Sequence, residues 1–177
     1  MDSASLLNSL SQMHSTMKTK TKIQSPPNHD EFTGRAIRTF LADDDPFVLA
    51  LLARLLARDP RITIIGSATD GRKALHSAAM SCPDLVLTDL HMPMVDGVEV
   101  TRWLKQLRNP PVIFMVTSDD TPEALARSLS AGADAFLVKA ADLHIQLQMA
   151  MEGFFPADRE QEKQAQNQSY ELVTATN

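Results

Sequence analysis

The feature that most limits the fold is a regular alternation of short apolar runs and helix-forming stretches between Arg38 and Phe154. Most of the runs are followed by apolar residues at helical spacing, and one is followed by the Ala-rich segment Gly71–Met80, which is helical by propensity. Each crossover between parallel strands lays a helix against the sheet, so this order predicts a parallel sheet covered on both faces. The predicted fold class is therefore α/β, a doubly wound parallel sheet of five strands. The apolar runs are Thr39–Ala42, Ile62–Ala68, Leu85–Thr88, Val112–Val116 and Ala135–Val138.

Proline and capping residues mark the ends of several predicted helices. In Asp45-Pro46 and Thr121-Pro122 an acceptor side chain precedes proline, which is the order expected where a helix begins. Asn109-Pro110-Pro111 ends one helix and precedes the fourth strand. Gly132 follows the fourth helix, where glycine is favoured. These signals agree with the strand–helix order.

The chain divides into three predicted parts. Residues 1–35 form a flexible extension rich in Ser, Thr, Asn and Lys, residues 36–155 form the folded domain, and residues 156–177 form a polar tail. The tail is too short and too polar to build a second core. One stripe at helical spacing in the extension leaves open a short docking helix, although short isolated helices are marginal in water. The stripe consists of Leu6, Leu10, Met13 and Met17.

Charge and composition exclude several classes of function. The formal net charge of -5 gives a poor surface for nonspecific nucleic-acid binding. No apolar run approaches the ~20 residues of a membrane span, and the first residues lack the apolar core of a secretory signal. Cys82 is the one cysteine, so an intramolecular disulfide and a CxxC site are both impossible. These observations favour a cytoplasmic protein.

Polar residues follow four of the predicted strands at the point where each strand ends. Asp43-Asp44-Asp45 follows the first strand, Asp89 the third, Thr117-Ser118 the fourth and Lys139 the fifth. In open α/β sheets, ligands bind outside the carboxyl ends of the strands. A helix cap before Pro46 explains one of the three consecutive acids and leaves two unexplained. The sequence therefore predicts that acids, a hydroxyl and a lysine converge on one edge of the sheet.

This combination of groups suits phosphoryl transfer. Clustered carboxylates repel one another unless a cation lies among them, and hard oxygen ligands suit Mg²⁺. A carboxylate can attack phosphorus as a covalent nucleophile. A metal ion and a lysine can neutralise the charge of the transferring phosphoryl group, while a hydroxyl donates a hydrogen bond to it. We therefore expect one aspartate to attack, the others to hold Mg²⁺, and Thr117 and Lys139 to hold the phosphoryl group.

The same residues resemble the bacterial two-component response-regulator receiver domain over about Arg38 to Phe154. The most specific part is Asp89 through Met92-Pro93 to Asp96-Gly97, and the order and spacing of all four segments add to it. The resemblance implies a flavodoxin-like sheet of strand order 2-1-3-4-5. The segments are Leu41-Ala42-Asp43-Asp44-Asp45-Pro46, Leu85–Gly97, Val116-Thr117-Ser118 and Phe136-Leu137-Val138-Lys139.

The resemblance implies a role for each acid at the site. Asp89 is the expected phosphoacceptor. Asp44 is the expected direct ligand of Mg²⁺, with Asp43 acting through water. The carbonyl oxygen of His91 and the carboxylate of Asp89 complete the predicted metal ligands.

The resemblance also implies a switch and its partners. Thr117 is the hydroxyl expected to move toward the phosphoryl group, Lys139 pairs with that group, and Phe136 occupies the aromatic switch position. A sensor histidine kinase or a histidine phosphotransfer protein would donate the phosphoryl group. The output would be contact with an unknown downstream protein, with a possible homodimer through the fourth helix, fifth strand and fifth helix, and with no direct contact to nucleic acid or membrane. We expect a stand-alone receiver that is not an enzyme beyond Mg²⁺-dependent phosphorylation and dephosphorylation of its own Asp89.

Three positions depart from or extend the family pattern. Ala140 follows the lysine where many members have proline, and the stretch after Lys139 is more like the branch that often carries helix-turn-helix output domains. In the family, the residues at the positions of His91 and Asp119 tune dephosphorylation. The sequence does not predict how long the phosphoryl group stays on Asp89. A receiver of a DNA-binding regulator that lacks its output domain therefore remains an alternative, as does a receiver that binds partners without phosphorylation.

An enzyme reading is the other alternative. Asp43–Asp45 also fits the Asp-x-Asp of haloacid-dehalogenase-type phosphatases, with Thr117 or Ser118 and Lys139 in that family's second and third motifs. Phe47 stands where a Thr or Val is expected, and the acidic pair expected after the lysine is incomplete. That reading also leaves Asp89 without a role.

Overall fold

The computed structural model describes residues 35–156, which form a five-stranded parallel sheet with helices on both faces. The strand order is β2-β1-β3-β4-β5, so the predicted fold class and topology are confirmed. In chain order the elements are β1 Ile37–Ala42, α1 Pro46–Leu56, β2 Ile62–Ala68, α2 Gly71–Ser81, β3 Leu85–Thr88, α3 Gly97–Leu104, β4 Val112–Thr117, α4 Pro122–Ala131, β5 Ala135–Val138 and α5 Leu143–Phe154.

The central strands are buried on both faces, as their continuous apolar runs require. Successive side chains of a strand point to opposite faces, so Leu85 and Leu87 of β3 pack with α1 and α5, while Val86 packs with α2 and α3. In β4 the same alternation sends Phe114 to the first face and Met115 to a third apolar cluster beneath α4. The two faces together fix the register of the sheet, because a slip of one residue would exchange them.

The predicted helix starts coincide with side-chain caps. Asp45 accepts a hydrogen bond from the N–H of Phe47 at 2.8 Å, and Thr121 accepts one from the N–H of Ala124 at 3.2 Å. Both helices have proline in the first turn, where its missing N–H has no cost. Gly132 ends α4 with φ 102°, a backbone conformation that glycine adopts without strain.

One expectation about packing is wrong. The helical spacing of Val100, Trp103, Leu104 and Leu107 predicts a stripe packed in the core, yet Trp103 is 56% exposed and Leu107 is 38% exposed. The buried face of α3 contains Val100, Thr101 and Leu104 but not Trp103, and Leu107 lies beyond the end of the helix at Leu104. No helix within residues 35–156 is long and apolar enough to cross a membrane. The stripe predicted between Leu6 and Met17 lies outside the described residues.

Candidate functional site

The carboxyl ends of β1, β3, β4 and β5 bring the predicted polar residues to one edge of the sheet. The N–H of Asp89 donates to the carbonyl of Ala42 at 2.8 Å, so the residue after β3 lies beside the end of β1. The N–H of Lys139 donates to the carbonyl of Thr117 at 2.8 Å, which places the residue after β5 beside the end of β4. The main-chain ladder itself therefore positions the predicted site residues.

Three carboxylates form a compact acidic cluster. One oxygen each from Asp43, Asp44 and Asp89 lies within 4.8 Å of the other two. Asp43 and Asp89 are buried, and Asp44 is exposed. Asp45 is not part of the cluster, because its side chain caps α1. The structure thus divides the run of three acids into two cluster residues and one helix cap.

Lys139 is the cation that faces this cluster. Its Nζ lies 2.7 Å from Oδ2 of Asp43 and 3.1 Å from Oδ1 of Asp89, and its side chain is only 16% exposed. Burial disfavours the ammonium form, but the neighbouring carboxylates of Asp43 and Asp89 outweigh burial and raise the pKa of Lys139. The lysine is therefore held in its charged form at the acidic cluster.

Burial destabilises the charged form of the Asp43 carboxylate. Burial raises its pKa, and the Lys139 ammonium and the N–H of Asp45, at 3.0 Å, only partly offset that cost. Oδ2 of Asp43 lies 2.7 Å from Nζ of Lys139, which also lies 3.1 Å from Asp89, so the two buried carboxylates share one ammonium. Buried carboxylates that carry more negative charge than the ammonium neutralises favour a further cation. Three carboxylates that present hard oxygen atoms fit Mg²⁺.

The backbone around Asp89 is closely packed. Its Oδ2 accepts a hydrogen bond from the N–H of His91 at 3.2 Å. The loop then turns back so that the N–H of Gly97 donates to the carbonyl of Leu90 at 2.9 Å. A Cβ at position 97 would lie 1.9 Å from the carbonyl oxygen of Asp89. The Asp-Gly pair of the sequence motif therefore has a steric reason, since only glycine lets α3 begin against the Asp89 backbone.

A second set of contacts surrounds Thr117. Its Oγ1 accepts a hydrogen bond from the N–H of Asp119 at 3.2 Å, which leaves the hydroxyl proton available to another acceptor. The carboxylate of Asp119 accepts from the Thr121 hydroxyl at 2.6 Å and lies 3.2 Å from Nε2 of His91. The hydrogen bonds from Thr121, followed by the one from His91, lower the pKa of Asp119. His91 and Asp119 thus join the loops that follow β3 and β4.

Phe136 lies away from the acids and inside the core. It is 2% exposed and belongs to the apolar cluster beneath α4, together with Leu90, Met115 and Ala124. This position links β5 to α4 and to the residue after Asp89. The geometry therefore connects the predicted aromatic switch residue to the loop that carries the predicted phosphoacceptor.

One residue that contacts the end of β5 was not predicted from the sequence. Gln146 of α5 is 8% exposed and binds the main chain of Val138, the residue before Lys139. It lies three residues after Leu143 and directly before Leu147, both of which are buried. A polar residue on the apolar face of a helix is the signal that could have identified it.

Comparison with known proteins defines the family. The family model of the response regulator receiver domain matches residues 39–150, and the chain belongs to this family. The response regulator domain of Thermotoga maritima CheB has 25% identity and a TM-score of 0.62, with 70% of this chain and 99% of that chain covered. A chain in the CheX–CheY–BeF3–Mg²⁺ complex from Borrelia burgdorferi also has 25% identity and a TM-score of 0.62, with 71% of this chain and 92% of that chain covered. The predicted identification as a receiver domain of two-component response regulators is confirmed.

Curated relatives are longer proteins. A protein-glutamate methylesterase/protein-glutamine glutaminase of Symbiobacterium thermophilum is 38% identical over 107 residues, which is 59% of this chain and 29% of the relative. A relative of the same name from a Nocardioides species is 35% identical over 109 residues, 60% of this chain and 30% of the relative. The chain therefore spans about 30% of the length of these relatives.

These names correct the prediction that the chain is not an enzyme. The relatives are named as enzymes, and the matches to them extend over 107 and 109 residues of this chain. The prediction rested on the acidic site, whose chemistry is confined to Asp89. A receiver sequence carries no trace of the activity named for the protein in which it occurs, so this reasoning could not detect an association with an enzyme. The expectation of a stand-alone receiver stays a prediction.

Proposed function

We propose that the chain is a phosphorelay receiver in which Asp89 accepts a phosphoryl group. The observation that carries this proposal is the position of Lys139, whose Nζ lies 3.1 Å from Oδ1 of Asp89 beside two further carboxylates. A lysine that only neutralised one carboxylate would not have to lie beside a cluster of three carboxylates. The arrangement supplies a nucleophile, acids for a cation, and a positive charge for the incoming group.

The carboxylates of Asp43, Asp44 and Asp89, with the carbonyl of His91, are the proposed ligands of Mg²⁺. When bound, the ion would neutralise charge on the phosphoryl oxygens. The acidic cluster supports this assignment because it holds one lysine against three acids. The residual negative charge of the cluster favours a divalent cation.

The proposed reaction is a displacement at phosphorus. An oxygen of Asp89 attacks the phosphorus atom, an acyl phosphate bond forms, and the bond from phosphorus to the imidazole nitrogen of the donor histidine breaks. The donor imidazole leaves with the electron pair of that bond. Lys139 neutralises one oxygen of the transferred group, and the free proton of the Thr117 hydroxyl donates to another. Thr117 is suited to this role because Asp119 already uses its acceptor side.

The phosphoryl group would act by shifting an equilibrium between two arrangements of α4 and β5. Thr117 and Phe136 support this part of the proposal because both lie on the strands next to α4, and Phe136 packs beneath that helix.

The donor would be a histidine kinase or a histidine phosphotransfer protein. The surface formed by α4, β5 and α5 would contact a downstream protein or a second copy. A cytoplasmic location is part of the same proposal.

Incubation with Mg²⁺ and acetyl phosphate tests the proposal. Intact mass should show one added phosphoryl group in the wild-type protein and none in Asp89→Asn. An adduct of the same extent in Asp89→Asn would refute Asp89 as the acceptor. Asp96→Asn is a matched control, because Asp96 lies in the same loop but caps α3.

The curated relatives support a second proposal, that this receiver controls an activity of the kind those proteins are named for. The observation is the match of the described domain to about 30% of two methylesterase/glutaminase chains. Release of methanol from a protein-glutamate methyl ester tests this, with and without acetyl phosphate. A rate that depends on intact Asp89 would support control of that activity, and an unchanged rate above background would refute it.

A further inference from the structure

The side-chain amide of Gln146 binds both main-chain groups of Val138. Oε1 accepts a hydrogen bond from the Val138 N–H at 2.9 Å, and Nε2 donates to the Val138 carbonyl at 3.3 Å. Gln146 is 8% exposed, so this amide lies within the protein and not in solvent. A buried amide that meets one residue through both its donor and its acceptor fixes that residue in position and in orientation.

This contact completes the open edge of the sheet. β5 is an edge strand, paired with β4 alone. The N–H of Lys139 points toward β4 and donates to the Thr117 carbonyl. Main-chain groups of successive residues point to opposite sides of a strand, so those of Val138 point to the open edge. There the Gln146 amide binds the Val138 N–H and shares the Val138 carbonyl with the N–H of Ala140, which donates to it at 2.8 Å.

The amide has only one consistent orientation. Nε2 also donates to Oδ1 of Asp142 at 3.0 Å. The reversed orientation would set the NH₂ group against the Val138 N–H, and the amide oxygen against a carbonyl and a carboxylate oxygen. Asp142 makes no capping hydrogen bond to α5, so its carboxylate serves to hold Gln146. The hydrogen bonds to Val138 and Asp142 therefore hold the Gln146 amide in this one orientation.

The residue held in this way precedes Lys139. The stretch Lys139–Asp142 contains no proline, so hydrogen bonds set its path. Lysine has many rotamers, and its ammonium reaches Asp89 only if the main chain at the end of β5 is fixed. Thr117 fixes that main chain from the β4 side, and Gln146 fixes it from the edge.

We propose that Gln146 is a positioning residue that holds the end of β5 so that Lys139 reaches the phosphoryl group. This inference rests on the proposed function of Asp89 and Lys139. Gln146 contacts neither the cluster of Asp43, Asp44 and Asp89 nor the incoming phosphoryl group. It acts through the main chain of Val138, and its effect therefore requires Lys139.

A double-mutant cycle tests this dependence. Gln146→Leu replaces the amide with an apolar side chain of similar size and removes both hydrogen bonds to Val138 and the one to Asp142. With acetyl phosphate and Mg²⁺, we expect its phosphorylation rate to fall about tenfold, within the range that a misplacement of about 1 Å can produce. In a Lys139→Ala background the same substitution should cause no further loss, because coupled residues are not additive. The Mg²⁺ concentration at half saturation should be unchanged, since the acidic cluster is intact.

Gln148→Leu is the matched control. It is the same substitution on the same helix, at an exposed residue whose side chain contacts Glu152. Its rate should equal that of the wild type. If Gln146→Leu does not fold, Asp142→Ala removes only the outer hydrogen bond and should give a smaller decrease that also requires Lys139.

The outcomes separate this inference from the function on which it rests. A wild-type protein that is labelled at Asp89, with Gln146→Leu labelled at the same rate, would overturn the positioning role and leave the function standing. An equal loss with and without Lys139 would also overturn it, because the effect would then be general destabilisation. A wild-type protein without any label at Asp89 would overturn the proposed function and the positioning role together.

Discussion

Nζ of Lys139 lies 3.1 Å from Oδ1 of Asp89, although Asp43 already offers the lysine a closer partner at 2.7 Å. The lysine is thus placed to serve the oxygen atoms of a group on Asp89 as well as to neutralise Asp43. This double contact gives the first prediction.

Lys139→Ala should retain the fold and lose most of its phosphorylation. We expect the rate with acetyl phosphate to fall about 100-fold, as is typical when one preorganised charge-stabilising group is removed. Rapid mixing followed by intact mass measures this rate. Lys73→Ala is the control, because Lys73 is an exposed lysine whose ionic partner is Asp70. A Lys139→Ala protein that is labelled as fast as the control would contradict the assigned role.

Mg²⁺ should stabilise the domain through the acidic cluster. A ligand at 100 times its dissociation constant raises the free energy of unfolding by about 2.7 kcal/mol, which is measurable as a rise in Tm. Asp44→Asn should abolish most of this rise, because Asp44 is one of the three clustered acids. Asp45→Asn should keep it, since asparagine also caps helices and Asp45 lies outside the cluster. Equal responses of the two variants would argue against the site.

Gly97→Ala should destabilise the loop of Asp89. The added Cβ would lie 1.9 Å from the Asp89 carbonyl oxygen, and a main-chain atom cannot move aside without shifting the loop. We expect a cost of about 1–3 kcal/mol in the free energy of unfolding, as is typical of overpacking. Gly66→Ala is the comparison, because its Cβ would meet the ring of Phe40 at 2.9 Å and a side chain can adjust. Urea unfolding of the two variants measures the difference, and a larger cost at Gly66 would contradict this account.

The fold could be predicted because its signals are local. Apolar runs alternate with helical stripes, and Asp45-Pro46 and Thr121-Pro122 mark helix starts that the structure confirms. The parallel topology then places the residue after each strand at one edge, which is how Asp89 and Lys139 could be expected to meet before their contact was seen.

What could not be predicted depends on contacts between distant residues. The exposure of Trp103 follows from which face of α3 is buried, and its helical spacing alone cannot show that. The role of Gln146 depends on which main-chain groups of β5 remain open, and this is set by the strand order. The requirement for glycine at position 97 depends on the approach of α3 to the Asp89 carbonyl, and the motif alone gives no reason for it.

The ion pair between Asp59 and Arg61 should make stability depend on pH. Hydrogen bonds from the Arg61 side chain, the shortest 2.6 Å, lower the pKa of Asp59 below its ordinary value of 3.8. A lowered pKa in the folded state means that the pair stabilises the fold above pH 3.8, and that this contribution is lost as the pH falls through the depressed value. The same arginine donates to the carbonyl of Phe155 at 2.6 Å, so it also holds the end of α5.

Asp59→Asn should therefore lower the free energy of unfolding by about 1 kcal/mol at neutral pH, the range of a partly buried charged hydrogen bond. The difference from the wild type should shrink as the pH falls below 3.8, because asparagine does not titrate. Glu152→Gln, the corresponding change at an exposed residue of α5, is the matched control. A difference between Asp59→Asn and the wild type that grew at acid pH would contradict the assigned pair.

The central claim concerns Asp89, and peptide mapping of the phosphorylated protein tests it most directly. The wild-type protein is incubated with Mg²⁺ and acetyl phosphate, the acyl phosphate is reduced with borohydride, and the converted residue is located by mass spectrometry. We predict a single converted residue, Asp89, and no conversion when Mg²⁺ is removed by a chelator. Conversion at Asp43 or Asp44, or no conversion at all in the presence of Mg²⁺, would contradict the account.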